Sequence, residues 1–116
     1  MIEIPVFKNQ SADFAQNIDI GGFNIEIRLT YNVRNKFWHI SFSSENYSIV
    51  GIKVTINFPI LLTHKAIFPV LRGDFIIQKI SDVSDEDFTY DNFGEVWSLF
   101  YFTEEEMNQW KEDNGL

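Results

Sequence analysis

The sequence predicts a mainly β protein: an antiparallel β-sandwich or a small, partly open barrel, closed by a short C-terminal helix. Three observations carry this expectation. Apolar and polar residues alternate strictly over the first hairpin, the period of a half-buried strand. Further short apolar runs follow at regular spacing, divided by turn residues, as in sandwiches and small barrels. Between the strands there is no amphipathic segment that could serve as a crossover helix, which excludes a parallel α/β fold.

From Phe23 to Val33 the odd positions read Phe23, Ile25, Ile27, Leu29, Tyr31 and Val33, while the even ones are polar. Arg34-Asn35-Lys36 makes a polar turn, and Trp38, Ile40 and Phe42 continue the apolar face on a returning strand, with Phe37, His39 and Ser41 opposite. Upstream, Phe14, Ile18 and Ile20 alternate with Asp13, Asn17 and Asp19 before Gly21-Gly22, a pair suited to the positive φ angles of a two-residue turn. A three-strand meander from about Asp13 to Phe42 results. After the loop "SSENYS" a strand is expected from Ile49 to Ile56, with Val50, Ile52, Val54 and Ile56 on one face and a bulge marked by Gly51. "NFPILLTHKAIFP", bracketed by Pro59 and Pro69, is apolar without a period and reads as an irregular crossing or a short helical turn. "VLRGDFIIQKI" supplies one or two strands around Gly73-Asp74, and "SDVSDEDFTYDNFGE" is an acidic loop. In the strand "VWSLFYF" both faces are apolar, which fits the centre of a sandwich or a sheet that meets a partner. Thr103-Glu104-Glu105-Glu106 is a capping box that opens a helix to about Asp113, with its acids at the positive end of the helix dipole.

The chain of 116 residues reads as a single β domain over 1–116. It has no Cys, hence no disulfide or thiolate metal site, which fits a reducing cytosol. The opening "MIEIPVFKNQ" lacks the basic start and apolar run of a signal peptide, and nowhere do about 18 apolar residues run together, so a soluble protein without a membrane segment is expected. The triplets Asn9-Gln10-Ser11 and Asn46-Tyr47-Ser48 resemble glycosylation sites, which matter only in secreted proteins. The net charge of -8 is uneven. Up to Ser81 six acids face eight bases, or +2; from Asp82 onward eleven acids face Lys111 alone, or -10. The basic residues of the first part are spread singly rather than clustered, which argues against direct nucleic-acid binding. The acidic last third reads either as a solvated, solubilising face or as a docking surface for a basic partner, with Glu104 and Glu105 in it.

Catalytic and metal motifs do not emerge. There is no Gly-x-Ser-x-Gly elbow, and the two imidazoles, His39 and His64, stand twenty-five residues apart, which is no recognisable ligand spacing. His39 reads as a surface residue beside Thr30 or Asn32, and His64 as a loop residue. The acids Asp82, Asp85, Glu86, Asp87 and Asp91 suggest calcium, yet an EF-hand loop begun at Asp85 would put Tyr90 in the place of the glycine and Val96 in that of the bidentate Glu. Neither catalytic residues nor a cofactor is expected. The aromatic content is more informative: twelve Phe, four Tyr and three Trp are many rings for a small core to enclose, and aromatics are enriched at protein interfaces. Candidate interface residues are Phe37, on the polar face of its strand, Tyr47 in a loop, and Phe88, Tyr90 and Phe93 in the acidic loop; for each the plainer reading is local packing under its own loop.

The opening "MIEIPV", the hairpin "LTYNVRNKFWHISF", the later "NFPILLTHK" and the close "SLFYFTEEEM" occur in the order seen in the baseplate plug proteins of contractile-tailed bacteriophages and prophages, a family that the whole chain resembles. Arg28, Tyr31, Asn32, Arg34, Trp38 and Ile40 match its hairpin, and Leu99, Tyr101, Thr103 and Glu106 its close. The chain departs from the family pattern in "NFPILLTHKAIF", where family members often carry a Gly-rich loop, and in the longer, more charged "SDVSDEDFTYDN". The resemblance implies a non-enzymatic baseplate component of the virion, assembled in the host bacterial cytoplasm. Its partners would be tube-end, hub or spike proteins and copies of itself around the tail axis. In that setting a wall of carboxylates facing the DNA conduit would repel phosphates. The alternative is a small β-sandwich module that recognises a glycan or another protein through exposed aromatics.

Overall fold

The structure is a computed structural model that describes residues 1–4, 13–20, 22–62, 72–80, 87–90 and 92–116. Its strands are β1 (Ile2–Ile4), β2 (Asp13–Ile20), β3 (Phe23–Asn32), β4 (Phe37–Ser43), β5 (Ser48–Lys53), β6 (Asp74–Lys79) and β7 (Trp97–Phe102), followed by the helix α1 (Glu104–Asp113). They form two antiparallel sheets, one in the order β2-β3-β4-β5 and one in the order β1-β7-β6. The result is a sandwich rather than a closed barrel, with the helix laid against the smaller sheet.

The meander follows from alternation. Ile25, Ile27, Leu29, Trp38, Ile40 and Phe42 are all buried, and the register sets Leu29 opposite Ile40 and Tyr31 opposite Trp38. His39 faces outward opposite Thr30, as a polar-face residue should. Gly22, with φ of +89°, supplies the left-handed conformation of the β2–β3 turn, and its N–H donates to the Asp19 carboxylate. Gly21 lies outside the described residues.

In β5 the bulge changes which residues face the core. Gly51 has φ of +74°, and the ladder shifts between the pairs Ile40–Ile52 and Phe42–Ile49. The extra residue turns Ile49 inward and leaves Val50 83% exposed, so the expected inward row beginning at Val50 is corrected to Ile49, Ile52 and Val54. Ile56, the last member of the expected strand, lies beyond β5 and meets Ile77 of the other sheet in an isolated bridge. The chain changes sheets here. The Val54 N–H still donates to the Trp38 carbonyl, whereas those of Asn57 and Ile60 donate to the carbonyls of Ile77 and Phe75. The described part of the expected irregular crossing, residues 57–62, is therefore a sheet-to-sheet link, with Pro59, Ile60 and Leu61 buried; residues 63–69 lie outside the described residues. Asp74, almost fully buried, secures it by accepting the Leu61 N–H at 2.8 Å. His64 lies outside the described residues.

β7 is buried along its whole length and pairs with β1 on one side and β6 on the other. Trp97, Leu99 and Tyr101 point into the core shared with the larger sheet. Phe100 and Phe102 point the other way, to a second cluster with Ile76 and Met107, against which Trp110 packs. β1 went unnoticed in the sequence because three residues are too few to show a period.

Two substitutions probe this packing. Trp38 is 3% exposed and touches the rings of Phe14, Tyr31, Tyr90 and Phe93, while its indole N–H has no acceptor among the described residues. Trp38→Ala should lower the unfolding free energy in urea by about 3 to 5 kcal/mol. Trp38→Phe, which keeps a ring and removes the unpaired donor, should cost less than about 1.5 kcal/mol. At Gly73 an added Cβ would stand 2.0 Å from the Phe102 carbonyl oxygen and 2.5 Å from the Tyr101 hydroxyl. Gly73→Ala should therefore destabilise by about 1 to 3 kcal/mol, read as a lower urea midpoint at unchanged slope.

Candidate functional site

The hairpin residues that carry the family resemblance turn out to hold the larger sheet together. Arg28 grips Asp13 with two nitrogens, at 2.8 Å and 2.6 Å, and the Thr30 hydroxyl adds a third contact at 3.2 Å. This forked pair ties the edge strand β2 to β3. The Arg28 guanidinium lowers the Asp13 carboxyl below its ordinary value, and the carboxylate in turn raises Arg28. Tyr31 and Trp38 form one rung of the ladder, with ring centroids 5.3 Å apart. Asn32 shapes the turn: its side-chain oxygen accepts the Asn35 N–H and its carbonyl the Lys36 N–H. Ile40 is wholly buried, and Arg34 stands exposed at the tip.

The residues of the close act similarly. Leu99 is fully buried, and burial pushes the Tyr101 hydroxyl, set against the Gly73 backbone, above its ordinary pKa. Thr103 and Glu106 form the reciprocal cap expected of them: the Thr103 hydroxyl accepts the Glu106 N–H, and the Glu106 carboxylate accepts the Thr103 N–H. Glu106 also meets the Met1 amino group, which with the Thr103 N–H holds its carboxyl below the usual range. Glu104 and Glu105 are exposed, and Arg72 approaches Glu104 at 3.7 Å.

The aromatic candidates divide. Phe37 is half-buried on the outer face of the sheet, edge-on to His39, with the Lys53 ammonium 4.9 Å above its ring. Tyr47 is half-buried against the core. Phe93 is 2% exposed, which fits packing under its own loop and not exposure to a partner. Tyr90 stacks on Trp38 with only 9° between the ring planes, and Phe88 lies edge-on to Phe93, so both also pack on the core. Asn92 explains the inward turn. It is buried, its side-chain oxygen accepts the Thr89 N–H, its amide donates to the Asp87 carbonyl, and its own carbonyl accepts the Val96 N–H. A single asparagine in an acidic stretch carries no periodic signal, and so it escaped notice. Asp82, Asp85, Glu86 and Asp91 lie outside the described residues.

Large apolar residues that do face solvent are different ones: Phe23 (46% exposed), Val33 (72%), Val50 and Phe58. Phe23 and Tyr47 line an open groove of about 540 Å³ together with Asn17, Asn24, Glu26 and Glu45, where the β2–β3 turn meets the β4–β5 loop. Its walls are amides, serines and carboxylates without an imidazole.

Two packed antiparallel sheets, with motif residues that serve ladder, turn and cap, define a β-sandwich scaffold. The chain belongs to the family described as the cyanophage baseplate Pam3 plug gp18, whose model matches residues 1–105. It is thus a bacteriophage tail baseplate protein of the plug family. The match ends in the first turn of α1, leaving most of the helix beyond it. No curated protein matches the chain.

The cap gives a test. Thr103→Ala should cost about 1 kcal/mol in chemical denaturation. Because the Asp13 and Glu106 carboxyls titrate below their unfolded values, their contributions are complete above about pH 4.5 and fade as the pH falls through the lowered folded-state values. A urea titration series run downward from neutral pH should show that decline, and in Arg28→Ala the part owed to Asp13 should be missing.

Proposed function

We propose that the protein is a plug-type structural component of a contractile tail baseplate, which contacts tube-end and hub or spike proteins and copies of itself around the tail axis. It contributes to baseplate assembly without catalysing a reaction. The single observation that carries this reading is the family match across residues 1–105, nearly the whole sandwich and its connections. The physical character of the chain supports it. A twice-buried central strand and a forked Arg28–Asp13 tie give a stiff body, which a part held between other proteins requires.

The acidic last third has a use in such a place. Ahead of the helix, Asp87 and Glu95 are exposed. Carboxylates turned toward the DNA conduit repel phosphates and keep the passing genome from adhering. The protein itself then binds no nucleic acid. Of the aromatics that a glycan-binding module would present, Phe88, Tyr90 and Phe93 are instead packed on the core.

The reading is tested by mixing the purified chain with the tube-end and hub proteins of the same tail and separating the products by size. Co-elution with at least one of them is expected, together with baseplates that fail to assemble when the gene is silenced. A chain that elutes alone, binds an immobilised glycan as a monomer and is dispensable for tails would overturn it.

A further inference from the structure

Ten residues carry the family resemblance, and nine of them have a task inside the fold: a tie, a rung, a turn, the core or a cap. Arg34 is the exception. It stands exposed on the β3–β4 tip, and its guanidinium has no partner among the described residues. Its surroundings are basic as well. Lys36 is exposed beside it, and Lys53 is exposed over the ring of Phe37, so three cations share one end of the outer face of the larger sheet. The nearby acid in the ladder, Asp13, is already held by Arg28 and Thr30. Val33, 72% exposed, adds an apolar contact to the same tip.

The complement of this patch lies on the far side of the molecule. α1 buries Met107 and turns Trp110 toward the outer face of the smaller sheet, so its opposite side faces solvent. On that side Glu105 and Glu112 stand seven residues apart, about two helical turns. Asp113 is beside them, oriented by the Gln109 amide at 2.9 Å. Phe58, 41% exposed, is edge-on to Trp110 on the sheet-facing side of the helix, so the ridge itself is purely acidic. Between the patch and the ridge lie both sheets and the core. A chain cannot bring its own tip to its own helix.

We propose that the β3–β4 tip of one copy, through Arg34, Lys36 and Lys53, docks on the acidic ridge Glu105–Glu112–Asp113 of the next copy. This rests on the reading that copies stand side by side in a baseplate, and adds which surfaces meet. The contact joins two different patches, so each copy keeps one of each open, and repetition closes a ring if the rotation per copy allows it. Exposed ion pairs are individually weak and are screened by salt, so two isolated chains associate loosely, whereas closure multiplies the contacts. The arrangement occupies the helix and leaves the exposed Asp87 and Glu95 for the conduit.

Sedimentation velocity of the full chain at low ionic strength, over a concentration series, provides the test. The wild-type chain should self-associate, and added salt should reverse this. The charge-reversed tip R34E/K36E and the charge-reversed ridge E105K/E112K, each checked for an unchanged melting temperature, should each weaken self-association by about tenfold or more. Mixed together, the two variants should associate as well as the wild type, because each then offers the surface the other needs. A wild-type chain that stays monomeric throughout, or a mixture that fails to recover, would sink the proposal. Either result leaves the baseplate role intact if the chain still co-elutes with tube-end or hub proteins. Loss of that co-elution would count against the role itself.

Discussion

The hydrogen-bonded ladder around β7 is the constraint on which the rest of the structure depends. Its six residues are all buried; β6 pairs with all of them on one edge, and β1 pairs with Leu99, Phe100 and Tyr101 on the other. One face completes the core against the larger sheet, through Leu99 and Tyr101. The other offers Phe100 and Phe102 to a helix that begins two residues later, at Glu104. The helix has little to gain without that surface, because a single ten-residue helix is marginal in water. Thr103 and Glu106 fix where it starts, and the sheet fixes which side it buries.

The large number of rings is explained mostly by packing rather than by an open binding face. Trp38 gathers Phe14, Tyr31, Tyr90 and Phe93, and Phe75 bridges Phe42 and Tyr101. Rings of this size let a seven-stranded sandwich bury enough apolar area without disulfides. Exposed charge is unevenly placed, with cations at the β3–β4 tip and carboxylates on α1.

Much of this fold was legible in the residues themselves. The meander, the Gly22 turn, the doubly buried "VWSLFYF" strand and the Thr103 cap each depend on neighbours close in sequence, and each was readable from alternation, a glycine or a capping box. The bulge at Gly51 was visible as a glycine, but not its direction. That depended on which pairs the partner strand β4 offered, and it exchanged Val50 for Ile49 at the core. Phe93 stood open to two readings, packing under its own loop or exposure to a partner, and the structure decides for packing: Asn92 folds the loop back through bonds to Asp87, Thr89, Glu95, Val96 and Trp97.

The sequence by itself determined the strand period, the turns, the helix start and the unequal charge of the two ends of the chain, because each is a local property of backbone or side chain. It also carried the hairpin and closing motifs that mark the family. Only the tertiary structure decided which rings are hidden, how the chain passes from one sheet to the other at residues 54–60, and that Arg34, unlike the exposed Arg28 and Thr103, has no bonding partner among the described residues. Those outcomes depend on contacts between residues far apart in the chain. Burial is a property of two surfaces meeting, and a pattern along one strand specifies only its own half of that meeting.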